Sequence, residues 1–294
     1  FFSSMVTASL AGMLGKRISV PMVTINHGHD VKMQLGIYQK YLPKVFSELS
    51  GVISVSSATR EECIKRGMKP DKGVALPNGF DLEDFNIRGD KAESRSKLEE
   101  VFGIDLSGKK LLITVGRQVR RKGHAWFIKE VFPKVKEQCT YLAVGDGPEH
   151  DTLKQIRENH ALKDRIILAG RQPDEVLEYS YAAADLFIMP NIPVEGDMEG
   201  FGIVLLEANL AETPAIAANL EGIRDVITDG ENGYKIEVKH AESFAAKIDD
   251  VLAGDVDAFG KKSREFVLQK FNWNKVAREY ISYLQTVTND SGLS

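Results

Sequence analysis

The chain has 294 residues, so at about 150 residues per domain we expect two domains. Apolar residues make up 43% and charged residues 27%, which excludes a low-complexity or collagen-like protein. The 38 basic and 42 acidic side chains give a net charge of -4, so no nucleic-acid partner is expected. Two cysteines, Cys63 and Cys139, exclude a disulfide framework and predict buried thiols in the reducing cytoplasm.

The first stretch, residues 1–17, is apolar and carries no charge before Lys16. It is shorter than the ~20 residues of a membrane span, and it lacks the basic segment that opens a signal peptide. We therefore expect a buried core helix here. Because the chain starts with Phe1 instead of Met, we also expect the natural N-terminus to lie upstream.

Strands and helices then alternate up to residue 79. We predict strands at 20–26, 51–55 and 73–77, a helix over 31–49 with a kink at Pro43, and a turn at 77–79. Ser56 is a predicted N-cap and Gly67 a predicted C-cap of the helix between them.

The composition becomes strongly charged over 84–110, and we place a domain boundary near residue 88, followed by a polar helix at 92–102. Short apolar runs predict strands at 110–116, 140–145, 165–170, 186–190 and 214–218. Helices are predicted at 124–137, 149–159, 174–183, 203–211 and 222–228, with a helical tail over 241–284. Such buried runs, each followed by a helix, indicate an α/β protein with doubly wound parallel sheets.

Ligands of these sheets bind beyond the carboxyl ends of the strands, which directs attention to the loop over residues 116–123, here called the cation loop. It holds Arg117, Arg120, Arg121 and Lys122 between two glycines and opens a helix. Backbone N–H groups and cations in this arrangement suit a phosphate or diphosphate. The alternative is a solvated basic turn, and we expect Arg120 and Arg121 to face solvent.

A second loop, residues 190–202, is called the acidic loop because Glu195, Asp197 and Glu199 precede Gly200 in it. Glu207 follows in the next predicted helix, within an apolar run. Compensation of the helix dipole would explain Glu199 but not Glu207, since a buried carboxylate needs a partner. Both carboxylates are therefore predicted to accept hydrogen bonds from sugar or ribose hydroxyls.

These motifs, GRQVRRKG (116–123), VGDGPE (144–149) and EGFGIVLLEA (199–208), resemble in this order the family-4 retaining glycosyltransferases of the GT-B fold. INHGHD (25–30), SVSSATREE (54–62) and LPNGFD (76–81) resemble the end of that family's N-terminal domain, and DGENGYKI (229–236) and FNWNKVAREY (271–280) fit its C-terminal part. The resemblance implies two Rossmann-like domains that face a cleft. Residues 1–88 would be part of the acceptor-side domain, 89–270 the nucleotide-sugar domain, and 271–294 a helix that crosses back.

The resemblance also implies roles for individual residues. Arg117 and Lys122 would clamp the donor diphosphate, Glu199 would contact the donor sugar, Glu207 would hold the ribose, and His27 would lie beside the transferred sugar. The remaining implied contacts are with the donor at Gly116, Arg171, Gly200, Phe201 and Gly202, and with the far side of the cleft at Asn78 and Gly79.

The implied function is hexosyl transfer with retention of configuration, from a nucleoside-diphosphate sugar to a saccharide, lipid-linked or small-molecule acceptor. Neither a cofactor nor a metal is expected, and the enzyme would work in the cytoplasm or peripherally at the inner face of the membrane. The paired glutamates argue against a sugar-nucleotide epimerase, and the absence of a pyridoxal-phosphate lysine motif argues against a phosphorylase. A non-catalytic nucleotide-sugar binding fragment stays open if the chain truly begins at Phe1.

Two further features qualify this interpretation. The His27-Gly28-His29-Asp30 spacing is also typical of the start of a metal site, but the other histidines are scattered and form no second cluster. The chain contains no Gly-Gly pair, whereas the family usually has a glycine-rich loop after its first N-domain strand. We therefore expect the N-terminal domain to be incomplete.

Overall fold

A computed structural model describes residues 1–81 and 90–290 of the chain. The predicted domain boundary near residue 88 lies outside these described residues. The nine described strands form two parallel sheets. Their bounds are β1 Val23–Asn26, β2 Gly51–Ser54, β3 Gly73–Ala75, β4 Lys110–Val115, β5 Cys139–Val144, β6 Ile166–Gly170, β7 Leu186–Met189, β8 Ala215–Ala218 and β9 Gly233–Ile236.

The first sheet has the order β1-β2-β3, and the second has the order β6-β5-β4-β7-β8-β9. When its strands are numbered from one in chain order, with β4 as the first, the second sheet has the strand order 3-2-1-4-5-6 of a Rossmann fold. The order of the strands across the sheet reverses between β4 and β7. Strands β5, β7 and β8 are buried along their whole length, as expected for strands with helices on both faces. The α/β, doubly wound prediction is confirmed.

The edge strand β9 was missed by the sequence analysis. Its two central residues, Tyr234 and Lys235, are half exposed, so the strand has no continuous apolar run by which to detect it. The strand pairs in parallel with β8 and closes this edge of the described sheet.

The α-helices surround the sheets. Their bounds are α1 Met5–Ala8, α2 Ala11–Leu14, α3 His29–Lys32, α4 Gly36–Glu48, α5 Ser57–Lys65, α6 Lys91–Phe102, α7 His124–Trp126, α8 His150–Asn159, α9 Asp174–Ala183, α10 Val204–Leu210, α11 Ile223–Val226, α12 Ala241–Leu252, α13 Val256–Lys270 and α14 Trp273–Asp290. Ser56 caps α5 by accepting a hydrogen bond from the Thr59 N–H at 3.1 Å, which confirms the predicted N-cap.

Three predicted helices are interrupted. The stretch 31–49 is two helices, α3 and α4, and Pro43 lies inside α4 rather than at the break. The stretch 124–137 is a single α-turn followed by a π-turn (Phe127–Val131) and a 3-10 turn that has Pro133 near its start. Asp255, which caps α13, and Asn272 separate the tail into three helices, because capping side chains satisfy the free N–H groups of a new helix start.

The N-terminal stretch is only partly the buried helix that we predicted. Met5, Ala8 and Ala11 are fully buried, but Leu10 and Met13 are exposed. The stretch is two short helices followed by a 3-10 turn, Gly15–Arg17. Within the described residues, no helix is long and apolar enough to cross a membrane.

The last helix, α14, packs on the first sheet. The Tyr283 hydroxyl accepts a hydrogen bond from the Val52 N–H at 3.1 Å and donates one to the Lys72 carbonyl at 2.8 Å. Val287 contributes to the same small core as Val23. One side chain of α14 thus joins β2 to the turn that precedes β3.

Tyr283→Phe should lower the free energy of unfolding by about 1–3 kcal/mol, because the buried Val52 N–H loses its acceptor. Tyr280→Phe is the matched control, since the Tyr280 hydroxyl lies 3.4 Å from both of its carbonyl acceptors and should matter less. Urea unfolding of both variants measures the difference. A loss for Tyr280→Phe equal to or larger than that for Tyr283→Phe contradicts the prediction.

Candidate active site

The cation loop follows β4 and the acidic loop follows β7, so they meet where the strand order of the second sheet reverses. The Ile192 N–H donates a hydrogen bond to the Arg121 carbonyl at 2.9 Å. Gly123 has a φ of +71°, and a Cβ there would lie 1.9 Å from the Pro190 carbonyl oxygen. Glycine at this position therefore permits the contact between the two loops.

The loop after β5 is joined to the cation loop through Gln118, which is fully buried. The Gln118 N–H donates to the Asp146 carbonyl at 2.9 Å, and its Nε2 donates to the Gly145 carbonyl at 2.8 Å. Its Oε1 lies 2.7 Å from Nδ1 of His150. This residue was not predicted from the sequence, because an amide between charged neighbours gives no signal in the composition.

Glu199 is the centre of the polar cluster between the loops. Its Oε2 accepts hydrogen bonds from Lys122 Nζ at 2.7 Å, from Asn191 Nδ2 at 3.0 Å and from Arg121 Nη1. Burial raises the pKa of Glu199, but the nearby Lys122 and Arg121 outweigh it and hold this pKa below its usual value. The carboxylate is therefore ionised at neutral pH.

Arg121 does not face solvent, so that prediction is wrong. Its side chain is only 15% exposed, and its Nε lies 3.2 Å from Oδ1 of Asp197. Two carboxylates, Asp197 and Glu199, draw the guanidinium inward. Arg117 and Arg120 are exposed, and neither forms an ion pair within the described part of the chain.

Glu207 lies in the first turn of α10, the helix that follows the acidic loop. Tyr181, which is fully buried on α9, donates a hydrogen bond from its hydroxyl to Glu207 Oε2 at 2.6 Å. Burial raises the pKa of Glu207, and the Tyr181 hydrogen bond offsets part of that rise. This is the partner that the apolar surroundings of the carboxylate required.

Phe201 and Arg171, two of the predicted donor contacts, differ in burial. The Phe201 ring is buried against Phe271, with ring centroids 6.0 Å apart, so only its backbone is left for a donor contact. Arg171 is exposed at the end of β6. On the first sheet's side, Gly79 is buried against Trp273 and Asn78 is half exposed, which gives Gly79 a packing role.

His27 directly follows β1 and lies at the contact between the first sheet and the acidic loop. Its side chain is exposed, and its backbone N–H donates to Asp30 Oδ1 at 3.1 Å. Asp30 Oδ2 accepts the Met5 N–H at 2.8 Å, so this carboxylate has a structural task. In residues 1–81 and 90–290 no three His, Cys, Asp or Glu side chains are grouped closely enough to hold a metal ion.

Two charged residues that were not predicted from the sequence, Lys32 and Glu221, extend the cluster across the cleft together with Asp197. Lys32 Nζ on α3 donates to the Asp197 carbonyl at 3.1 Å and lies 3.8 Å from Glu221 Oε1. Glu221 Oε2 in turn accepts the Glu199 N–H at 2.6 Å. Asp197, Lys32 and Glu221 come from three separate loops or helices, so only the tertiary fold brings them together.

Gly200→Ala should lower the free energy of unfolding by about 1–3 kcal/mol, because overpacking a tight contact costs this much. A Cβ at Gly200 would lie 2.0 Å from the carbonyl oxygen of His27, the residue that follows β1 of the first sheet. The matched control is Gly36→Ala, at a site with no atom within 4 Å of the added Cβ. Urea unfolding should separate the two variants, and equal stability would contradict the close packing of β1 on the acidic loop.

Comparison with known proteins agrees with this arrangement. The family described as "Glycosyl transferases group 1" matches residues 96–267, and "Glycosyltransferase Family 4" matches residues 1–84. A GDP-mannose-dependent alpha-(1-6)-phosphatidylinositol monomannoside mannosyltransferase from Mycolicibacterium smegmatis is 27% identical, over 93% of this chain and 72% of its own length. An N-acetyl-alpha-D-glucosaminyl L-malate synthase from Bacillus anthracis is 30% identical, over 95% of this chain and 70% of its own.

The crystal structure of HepE from Anabaena in complex with UDP has the same fold, with a TM-score of 0.81 at 20% identity. The match covers 96% of this chain and 77% of HepE. The chain belongs to the group 1 glycosyltransferases, a class that uses nucleotide-sugar donors, and it has the GT-B fold.

Proposed function

We propose that this protein transfers a hexosyl group from a nucleoside-diphosphate sugar to an acceptor, with retention of configuration and without a metal ion. The observation that carries the proposal is the juxtaposition of cations and an ionised carboxylate at the switch point of the second sheet. Arg117 is exposed there and forms no ion pair among the described residues. Lys122 lies in the same loop, at the end of its 3-10 turn.

Negative charge builds on the diphosphate as the sugar leaves, and fixed cations beside a water-poor cleft stabilise that charge. Arg117 offers a planar fork for two phosphate oxygens, whereas Lys122 offers a point charge. Support for a metal-free reaction is that these side chains supply the positive charge a divalent ion would otherwise bring.

The two glutamates are proposed to orient the donor. Three donors already occupy Oε2 of Glu199, whereas its Oε1 has no hydrogen bond among the described residues. We therefore propose that Oε1 accepts a sugar hydroxyl. Glu207 is proposed to accept hydrogen bonds from the ribose, and His27 to lie beside the transferred sugar. Arg171 would border the base.

The acceptor is proposed to be a saccharide, a lipid-linked compound or a small molecule. The relatives named above differ in this respect, since one is named for a phosphatidylinositol mannoside and the other for malate. Peripheral association with the inner face of the membrane is part of the proposal for a lipid-linked acceptor. Sedimentation with anionic lipid vesicles tests it, and protein that stays in the supernatant contradicts it.

Release of nucleoside diphosphate from a panel of UDP-, GDP- and ADP-sugars tests the main proposal. A thermal-shift screen selects the donor beforehand, since a ligand at ~100 times its dissociation constant adds ~2.7 kcal/mol of stability. We expect one base to stabilise the protein and its sugar to be turned over, with the product's anomeric proton showing retention by NMR. Binding without turnover across a panel of acceptors would instead support a binding fragment.

A further inference from the structure

We propose that Arg121 is a positioning residue that keeps the Glu199 carboxylate in place while Lys122 turns from Glu199 to the donor diphosphate. This inference rests on the proposed function, because it assigns Lys122 a second anion to bind. It concerns a residue that the sequence analysis placed in solvent.

Lys122 has two anionic partners in the proposed reaction, the Glu199 carboxylate and the donor diphosphate. In the structure its Nζ lies 2.7 Å from Glu199 Oε2, so the lysine is paired with the carboxylate. The same amino group is near the start of the cation loop, since a Cβ on Gly116 would lie 3.8 Å from it. A small rotation of this flexible side chain takes Nζ from the carboxylate to the backbone that would surround a phosphate.

When Lys122 turns away, Glu199 is left in a site where its side chain is only 11% exposed. A buried carboxylate that loses its cation is strongly disfavoured, so it would take up a proton or move. Asn191 Nδ2, at 3.0 Å, remains as a neutral donor, but an amide does not compensate a full charge. Another cation is therefore needed throughout the reaction.

Arg121 meets this requirement because it is held on two sides. Its Nη1 donates to Glu199 Oε2, and its Nε lies 3.2 Å from Asp197 Oδ1. Its carbonyl accepts the Ile192 N–H at 2.9 Å, which fixes its backbone to the acidic loop. A guanidinium that spans two carboxylates has fewer alternative positions than a lysine, so Arg121 stays while Lys122 moves.

The charges around Glu199 decide its ionisation. Burial and the neighbouring Glu221 oppose the charged form of Glu199, whereas Lys122 and Arg121 favour it. Asp197 shares the Arg121 guanidinium with Glu199. Lys32, from the first sheet's side, is close to Glu221 and offsets part of that opposition. Loss of Arg121 should therefore raise the pKa of Glu199, most of all in the donor complex where Lys122 is engaged elsewhere.

The test is steady-state kinetics of Arg121→Gln on the full chain, with the acidic limb of the kcat–pH profile as the decisive readout, since it reports groups in the donor complex. We expect kcat to fall about 10- to 100-fold and the acidic limb to move up by about one pH unit, while calorimetry gives an unchanged Kd for the free nucleoside diphosphate. Arg121→Lys keeps the charge and should restore the position of the acidic limb. Arg120→Gln, an exposed arginine in the same loop, should behave as the wild type.

An acidic limb that does not move in a folded Arg121→Gln variant overturns the inference. So does a Kd for the free diphosphate that weakens in parallel with kcat, because Arg121 would then bind the phosphate itself. If Arg121→Gln does not fold, Asp197→Asn tests the inference instead, because it removes the second carboxylate that holds the Arg121 guanidinium. This variant should lower kcat without raising the acidic limb of the kcat–pH profile, and an unchanged kcat contradicts the inference. If the wild type turns over no nucleotide sugar, the proposed function fails, whereas turnover without this pattern in the variants refutes only the role of Arg121.

Discussion

Arg117→Ala is expected to lower kcat about 10²- to 10³-fold, the usual cost of removing one preorganised donor to a developing anion. The side chain is exposed and has no recorded ion pair in the described residues, so it needs no rearrangement to meet a diphosphate. Its contact should be stronger in the transition state than in the ground state, because charge on the diphosphate grows as the sugar departs. Donor affinity should change much less.

Steady-state kinetics of Arg117→Ala, beside Arg120→Ala, measures this effect. Arg120 is equally exposed in the same loop and should leave kcat near the wild-type value. A rise of KM alone for Arg117→Ala, with kcat unchanged, would show that Arg117 binds ground state and transition state equally and does not stabilise the leaving group.

Glu207→Gln is expected to raise KM for the donor about 10- to 100-fold with little change in kcat. A hydrogen bond to a charged group contributes about 1.5–3 kcal/mol, and the ribose is remote from the bond that breaks. The substitution keeps the volume and leaves an amide oxygen to accept the Tyr181 hydroxyl, which now donates at 2.6 Å. Since the pKa of Glu207 is raised, donor affinity of the wild type should fall on mild acidification, and the Gln variant should lack this pH dependence.

Tyr181→Phe is the companion variant, because it retains the carboxylate and removes the hydroxyl that orients it. We expect a smaller rise of KM than for Glu207→Gln. Loss of kcat at normal donor affinity in Glu207→Gln would place Glu207 at the reacting atoms and contradict the ribose assignment.

The parallel core of the second sheet was predictable because its strands are buried on both faces and therefore appear as unbroken apolar runs. Leu186–Met189 and Ala215–Ala218 are examples, and the helix Asp174–Ala183 was predicted at its observed bounds. The edge strand β9 was missed because its two central residues are half-buried, so it has no continuous apolar run. Interruptions of helices were missed where a side-chain cap, at Asp255 and Asn272, or a π-turn, Phe127–Val131, changes the path of the chain.

The site was predictable where a residue type is itself unusual in its surroundings. A carboxylate within the apolar run of α10 required a partner, and the partner is Tyr181. Arg121 was misplaced because composition does not tell which of three successive cations in the 3-10 turn Arg120–Lys122 faces inward. Lys32 and Glu221 reach the same cluster from distant parts of the chain, which no local pattern reveals.

The central claim is that the cation loop holds a nucleoside diphosphate, and calorimetric titration of UDP, GDP and ADP into the wild type and Lys122→Met tests it most directly. We predict that one of the three binds the wild type and that Lys122→Met weakens its binding about tenfold or more, or at least ~1.4 kcal/mol. Absence of binding of all three at millimolar concentration, or equal affinity of the two proteins, would contradict the account.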